Sequence, residues 1–84
     1  MKPIRLTRHA QEQRLERGAT ETEVRYTILH GCREPAKLGR ELCRFSFPFN
    51  KNWQGKFYTV KQVAPVIKEE QNEIVVITVY TMYF

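Results

Sequence analysis

The sequence contains no aspartate, only four glycines, two cysteines and a single tryptophan. There is no Asp, and no acidic cluster suited to holding a pair of catalytic metal ions, so phosphodiester chemistry of that design is not expected. The glycines are scattered and build no phosphate-cradling loop, and there is no G-x-S-x-G nucleophile turn. Cys32 and Cys43 form no C-x-x-C pair, and with His30 they lack the spacing of a tetrahedral zinc site. Both thiols are therefore expected to be small buried hydrophobes, and no cofactor is expected. No apolar run approaches the ~18 residues of a membrane span. The opening Met1-Lys2-Pro3-Ile4-Arg5 has no apolar stretch of the secretory type, so the expected compartment is the cytoplasm.

What is present is a short, basic, aromatic-rich chain. Its 84 residues predict one domain, residues 1–84, with a small core. A composition of 42% hydrophobic and 12% aromatic residues suffices for that core. Fourteen Lys and Arg against nine Asp and Glu give a net charge of +5, which favours a polyanionic partner.

Helix signals come first along the chain. Thr7 is an N-cap for a helix through Arg17, and Gly18 supplies the residue that ends it. Thr20-Glu21-Thr22-Glu23 reads as a capping box opening a second helix that stops at Gly31. Ile4-Arg5-Leu6 reads as a short extended lead-in. After Gly31 the period shortens to two. Strands are predicted over residues 34–38, 41–49, 56–67 and 73–83, with a polar loop at 50–55 holding Trp53 and a hairpin loop at 68–72. Pro65 implies a local edge or bulge in its strand. The last strand is apolar on both faces, with Val75, Ile77 and Val79 on one and Ile74, Val76, Thr78 and Tyr80 on the other, which predicts a central position. The expected class is α+β: two N-terminal helices packed on an antiparallel sheet of about four strands.

Several residues carry candidate chemistry. His9, in the first turn of the first helix, suits proton transfer near neutral pH. Arg17 lies about 80° around the helix from His9, and Arg14 about 140°. With Lys61 and Arg44 projecting from the sheet, these cations suit a phosphodiester, because guanidinium forks match phosphate oxygens. Thr78 and Tyr80, two apart on one strand, share a face and suit positioning of a phosphate or donation of a proton. Phe47, Phe49, Trp53, Phe57 and Tyr58 interleave with Lys51 and Lys56, a pattern that suits stacked single-stranded bases and also fits a plain aromatic core.

Ile4-Arg5-Leu6-Thr7-Arg8-His9-Ala10, Glu12, Glu16-Arg17-Gly18 and Thr20-Glu21-Thr22-Glu23-Val24 resemble the opening of the domain of unknown function 4258 family. Ile74-Val75-Val76-Ile77-Thr78-Val79-Tyr80 resembles that family's last strand. The family is grouped with RelE-like bacterial toxins and the wider barnase-like and colicin-like ribonuclease fold. The resemblance implies helices on an antiparallel sheet with a cleft on the sheet. It implies RNA as substrate, free or ribosome-bound, a cognate antitoxin as partner, and His9, Arg17, Thr78 and Tyr80 as site residues. The family commonly carries Arg, then Met or Leu, at the fourth and fifth positions after its histidine; here Gln13 and Arg14 stand there.

The function expected from residues and resemblance together is a metal-independent endoribonuclease of the toxin–antitoxin type. His9 serves as acid or base, Arg17 with Arg14 or Lys61 stabilises phosphate charge, Thr78 and Tyr80 position the phosphate, and Arg14, Arg44, Lys56, Lys61 and Trp53 bind RNA. The alternatives are a non-catalytic RNA-binding module and a protein-interaction module that binds an acidic segment or itself by strand addition.

Overall fold

Two threonines set the helices. In the structure, a computed structural model that describes residues 2–84, Thr7 Oγ1 accepts the Ala10 N–H at 3.1 Å and opens α1 (Arg8–Glu16). The capping box forms as expected. Thr20 Oγ1 accepts the Glu23 N–H at 3.0 Å and the Glu23 carboxylate accepts the Thr20 N–H at 2.9 Å, opening α2 (Glu21–His30). Between them Gly18 takes φ +77°, a conformation glycine adopts without steric cost. A Cβ there would also meet Tyr83 Oη at 2.6 Å and the Trp53 ring at 2.8 Å.

The strands are β1 (Ile4–Leu6), β2 (Cys32–Pro35), β3 (Glu41–Trp53), β4 (Lys56–Glu69) and β5 (Ile74–Tyr83), in sheet order β1-β5-β4-β3-β2. The fold is thus α+β with two helices, but the sheet has five strands and is mixed. The lead-in of three residues is a strand, parallel to β5. A one-turn 3₁₀ helix, Lys37–Gly39, follows a β2 that starts earlier than the composition suggested. The polar loop expected at 50–55 is mostly strand. Only Gln54 and Gly55 turn, both with positive φ (50° and 84°), as a two-residue type I′ hairpin requires. Asn50, φ 49°, marks a shift of register between Pro48 and Lys51.

Both helices cover one face. Ala10 from α1 and Val24 and Ile28 from α2 pack on Cys43, Val63, Ile67, Val76 and Val79. The opposite face is open. A second register shift decides what lies on it. Ile67 pairs with Val76 and Val66 with Thr78, so Ile77 is an extra residue in β5. The strict alternation expected for this strand breaks there. Ile74, Val76 and Val79 face the helices, while Thr78 and Tyr80 face away, although Val76 and Thr78 are two residues apart. Pro65 is fully buried in central β4, and no pairing with β3 forms at the position opposite Cys43, where its missing N–H falls. Cys43 is buried as expected, whereas Cys32 is exposed.

The sheet's two edges are handled differently. Beyond Val76, β5 has no strand neighbour on the β1 side, and α1 closes the gap. The Thr7 N–H donates to Val76 O at 3.2 Å, and Thr7 Oγ1 to Ile77 O at 3.4 Å. Arg17 Nη1 donates to Val79 O at 2.7 Å, and Thr81 Oγ1 donates to Arg17 O at 2.9 Å. On the other side β2 covers β3 only as far as Arg44. The Arg44 carbonyl points toward Gly31, so by alternation the outward-pointing backbone groups beyond it belong to Ser46 and Pro48. Pro48 has no N–H to offer there, and Lys51 follows; both blunt a free edge against strand addition. Among the described residues no helix is long and apolar enough to cross a membrane.

Candidate nucleic-acid interface on the open face

The open face is laid out in cross-strand rows. Ala64 pairs with Tyr80, Gln62 with Met82, and Val66 with Thr78. The register that joins Leu42 to Val66 and Phe45 to Val63 places Arg44 opposite Ala64. One row therefore reads Arg44, Ala64, Tyr80, with Arg44 and Tyr80 about 10 Å apart across the intervening strand. Ala64 is the small residue between them and is 2% exposed, whereas Tyr80 is 48% exposed. The row is completed from outside the sheet by Arg17. Its side chain comes around the free edge of β5, and its guanidinium carbon stands 4.9 Å from the centre of the Tyr80 ring. A guanidinium over an aromatic face is held by the ring's quadrupole while its other N–H groups stay available.

Thr78 lies on the same face, one row from Tyr80. Among the described residues the Thr78, Tyr80 and His9 side chains make no hydrogen bond to the protein, so all three can serve a ligand. His9 is exposed on α1, on the helix-covered side of the sheet, two residues after Thr7, which is bonded to Ile77 O at the free edge of β5. Gln11 bonds Glu21 of α2 at 2.9 Å. His9 lies about 160° around α1 from Gln11, on the side turned away from α2. Arg17 is eight residues from His9, about 12 Å along the helix. At the far end of the row Arg44 is bound by Glu34 at 2.6 Å. Beside it opens a cavity of about 370 Å³ lined by His30, Cys32, Arg44, Ser46 and Gln62 among others.

The remaining candidates lie elsewhere. Lys61 does not share a face with Arg44. It points under the helices, is 6% exposed, and its Nζ is held by Gly18 O at 2.8 Å and Glu23 Oε1 at 2.7 Å. It is a structural cation with no surface to offer RNA. Arg14 lies on the α2 side of α1, bonded to Gln11 and to Ala19 O, and does not join Arg17. Of the aromatics, Phe45 and Phe47 pack with Tyr26 under α2. Phe49, Trp53 and Tyr58 gather on Tyr83. Trp53 and Lys56 thus stand on the β3–β4 hairpin, on the side of the helices. Arg17 was expected in the site, but its contact with Tyr80 and the bond from Tyr83 that holds it have no signal in the sequence. Both depend on the free edge of β5, which no local pattern announces.

The chain matches no family model, no curated protein and no solved structure.

Tyr83 holds Arg17 from the helix side of the sheet. Its hydroxyl donates to Arg17 O at 2.6 Å. Burial pushes its phenol above the ordinary value; the Thr81 contact opposes this and the charge of Glu23 adds to it. A phenol raised in the folded state stabilises it below the ordinary pKa of about 10, and that stability is lost as pH rises through the folded value. Tyr83→Phe should therefore unfold more easily at neutral pH, by about 1 kcal/mol for the lost hydrogen bond. It should also show a flatter loss of stability on the alkaline side. Urea midpoints measured from neutral pH into the alkaline range check both; parallel curves for the two proteins would contradict the assignment.

Proposed function

We propose that this chain is a metal-independent endoribonuclease of the toxin–antitoxin type, with a RelE-like arrangement and a place in the domain of unknown function 4258 family. The observation that carries this reading is the Arg17 guanidinium held over Tyr80 on the open face, with Thr78 beside it and His9 at the other end of the same helix. The net charge of +5 and the absence of Asp support it.

In the proposed reaction the ribose 2′-oxygen attacks its own phosphorus. A P–O2′ bond forms, the P–O5′ bond breaks, and the products are a 2′,3′-cyclic phosphate and a free 5′-hydroxyl. His9 takes the 2′ proton as general base. Arg17 stabilises charge on the non-bridging oxygens, using N–H groups not engaged by Val79. Tyr80 or Thr78 delivers a proton to the departing 5′-oxygen. Arg44 holds a neighbouring phosphate when it exchanges Glu34 for it. The buried Lys61 and the α2-facing Arg14 have no part. The expected setting is the cytoplasm, with RNA free or on the ribosome and an antitoxin protein as partner.

The test is a single-stranded RNA carrying one 2′-deoxy residue at the preferred cleavage position, incubated in EDTA. Cleavage should stop at that position and continue elsewhere; cleavage at the deoxy position would sink the mechanism.

A second reading, RNA binding without turnover, is favoured by one feature: an Arg17 N–H is already committed to Val79 O, and His9 is about two helical turns away. It predicts salt-dependent binding and no products.

A further inference from the structure

The β3–β4 hairpin carries a charge pattern that the open-face site does not use. Residues 42–68 contain no acidic residue, while Arg44, Lys51, Lys56, Lys61 and Lys68 all fall within them. Arg44 and Lys61 have carboxylate partners. Among the described residues Lys51 and Lys56 have none. The end of the hairpin also outreaches the sheet: β5 ends beside Val60, where Phe84 N donates to Val60 O at 2.9 Å. Beyond that point β3 and β4 continue as a two-stranded ribbon to the turn at Gln54 and Gly55.

One face of this ribbon is a block of four. Lys51 pairs with Tyr58 and Trp53 with Lys56, so cations and rings alternate, and the two lysines are diagonal neighbours about 7–8 Å apart. Each ammonium sits over a ring, Lys51 at 5.8 Å from Phe49 and Lys56 at 5.6 Å from Tyr58. The rings are backed by Tyr83, which stacks on Trp53 at 5.1 Å and 14° and donates to Arg17 O. The ribbon is thereby fixed relative to Arg17. Neither ammonium has a carboxylate partner among the described residues, so an anion can approach both.

We propose that this ribbon face is a second RNA contact, separate from the open face. Lys51 and Lys56 take phosphates of a single strand, and a base stacks on the exposed part of Trp53. Trp53 and Tyr58 are half-buried against Tyr83, which fixes them for stacking and leaves neither ring free to insert into a lipid surface. Lys56 lies eight residues along β4 from Ala64, about 26 Å from the Tyr80 row. A strand several nucleotides long can engage both sites, and a dinucleotide only one. The inference deepens the ribonuclease reading, since it takes RNA as the ligand, yet it can be tested apart from cleavage.

Trp53 is the only tryptophan, so its emission reports this face alone. The experiment titrates the full chain with a short mixed-sequence single-stranded RNA at several salt concentrations, following Trp53 fluorescence. Wild type should show quenching. Lys51→Ala/Lys56→Ala, with an unchanged far-UV spectrum, should lose most of it, and its log–log salt slope should fall by about 1.4. Lys68→Ala, which removes an exposed cation of the same acid-free segment at the far end of β4, should keep the quenching. An unchanged slope and quench in the double variant overturn the proposal, as does a response to phosphatidylserine vesicles equal to that for RNA. If wild type is quenched but cleaves nothing, the catalytic reading fails and this one stands. If it cleaves RNA with no Trp53 response, the reverse holds.

Discussion

Gly31→Ala should lower the melting temperature by about 10–20 °C, for a loss of about 3 kcal/mol in a domain this small. Gly31 has φ −78°, a value any residue adopts, so conformational freedom is not the reason. The reason is space. A Cβ at this position would run into the Arg44 carbonyl and stand 2.6 Å from Thr27 O. Both obstacles are backbone, one belonging to the last turn of α2 and the other to β3, and neither can swing aside as a side chain does. To admit one methyl group, α2 must lift from the β2–β3 pair, opening the layer where Ile28 and Cys43 are packed. Gly39→Ala is the internal control. Gly39 has φ +70°, and a Cβ added there would meet nothing within 4 Å, so it should lose only about 1 kcal/mol from its backbone conformation. Equal melting shifts for the two variants would show that crowding at Gly31 is not the cause.

Lys61→Ala should destabilise the protein by about 3 kcal/mol, the usual effect of breaking a buried ion pair from one side, and leave the salt slope of RNA binding unchanged. The ammonium joins three pieces: strand β4 that carries it, the Gly18 carbonyl of the inter-helix link, and Glu23 in the first turn of α2. Without it, a carboxylate that is 21% exposed keeps only its bond to the Thr20 N–H, and the Gly18 carbonyl loses its charged donor. Lys61→Met separates the parts, since it keeps the apolar stem and removes the charge. Its loss should fall between those of Ala and wild type. Thermal or urea unfolding of the three proteins, beside RNA titrations at several salt concentrations, measures both effects. A stable Lys61→Ala protein with a shallower salt slope would return Lys61 to the RNA-binding surface.

The helices were legible because their signals are local. Thr7, Gly18 and the Thr20–Glu23 pair each act within one turn of helix, and each does in the structure what its spacing implies. The sheet was less legible wherever distant residues decide. Ile4, Arg5 and Leu6 form a strand only because β5 lies beside them, seventy residues along the chain at Ile74, Val75 and Val76. The extra residue Ile77 changes which face Thr78 shares with its neighbours, and alternation cannot reveal a bulge. Gln54-Gly55 lacks the Asn-Gly signature of a tight hairpin, so the ribbon reads as a loop. In the candidate site, the pairing of Thr78 with Tyr80 on one face survived because both follow the bulge. The placing of Lys61 with Arg44 did not, because seventeen residues and a hairpin separate them and neither sequence position indicates a face. The acid-free segment 42–68 was visible from the outset; what it does depends on Lys51 and Lys56 being diagonal neighbours.

The proposed cleavage of RNA by the open face, with His9 supplied from α1, rests on His9 and Tyr80. The most direct measurement is the rate of cleavage of a mixed single-stranded RNA in EDTA, free and on ribosomes, by wild type, His9→Ala and Tyr80→Ala of unchanged far-UV spectrum. Wild type should cleave, and each variant should be slower by about 100-fold or more, the scale on which positioned acid–base groups act. Equal rates in all three proteins, or no cleavage by wild type in either setting, would contradict this reading.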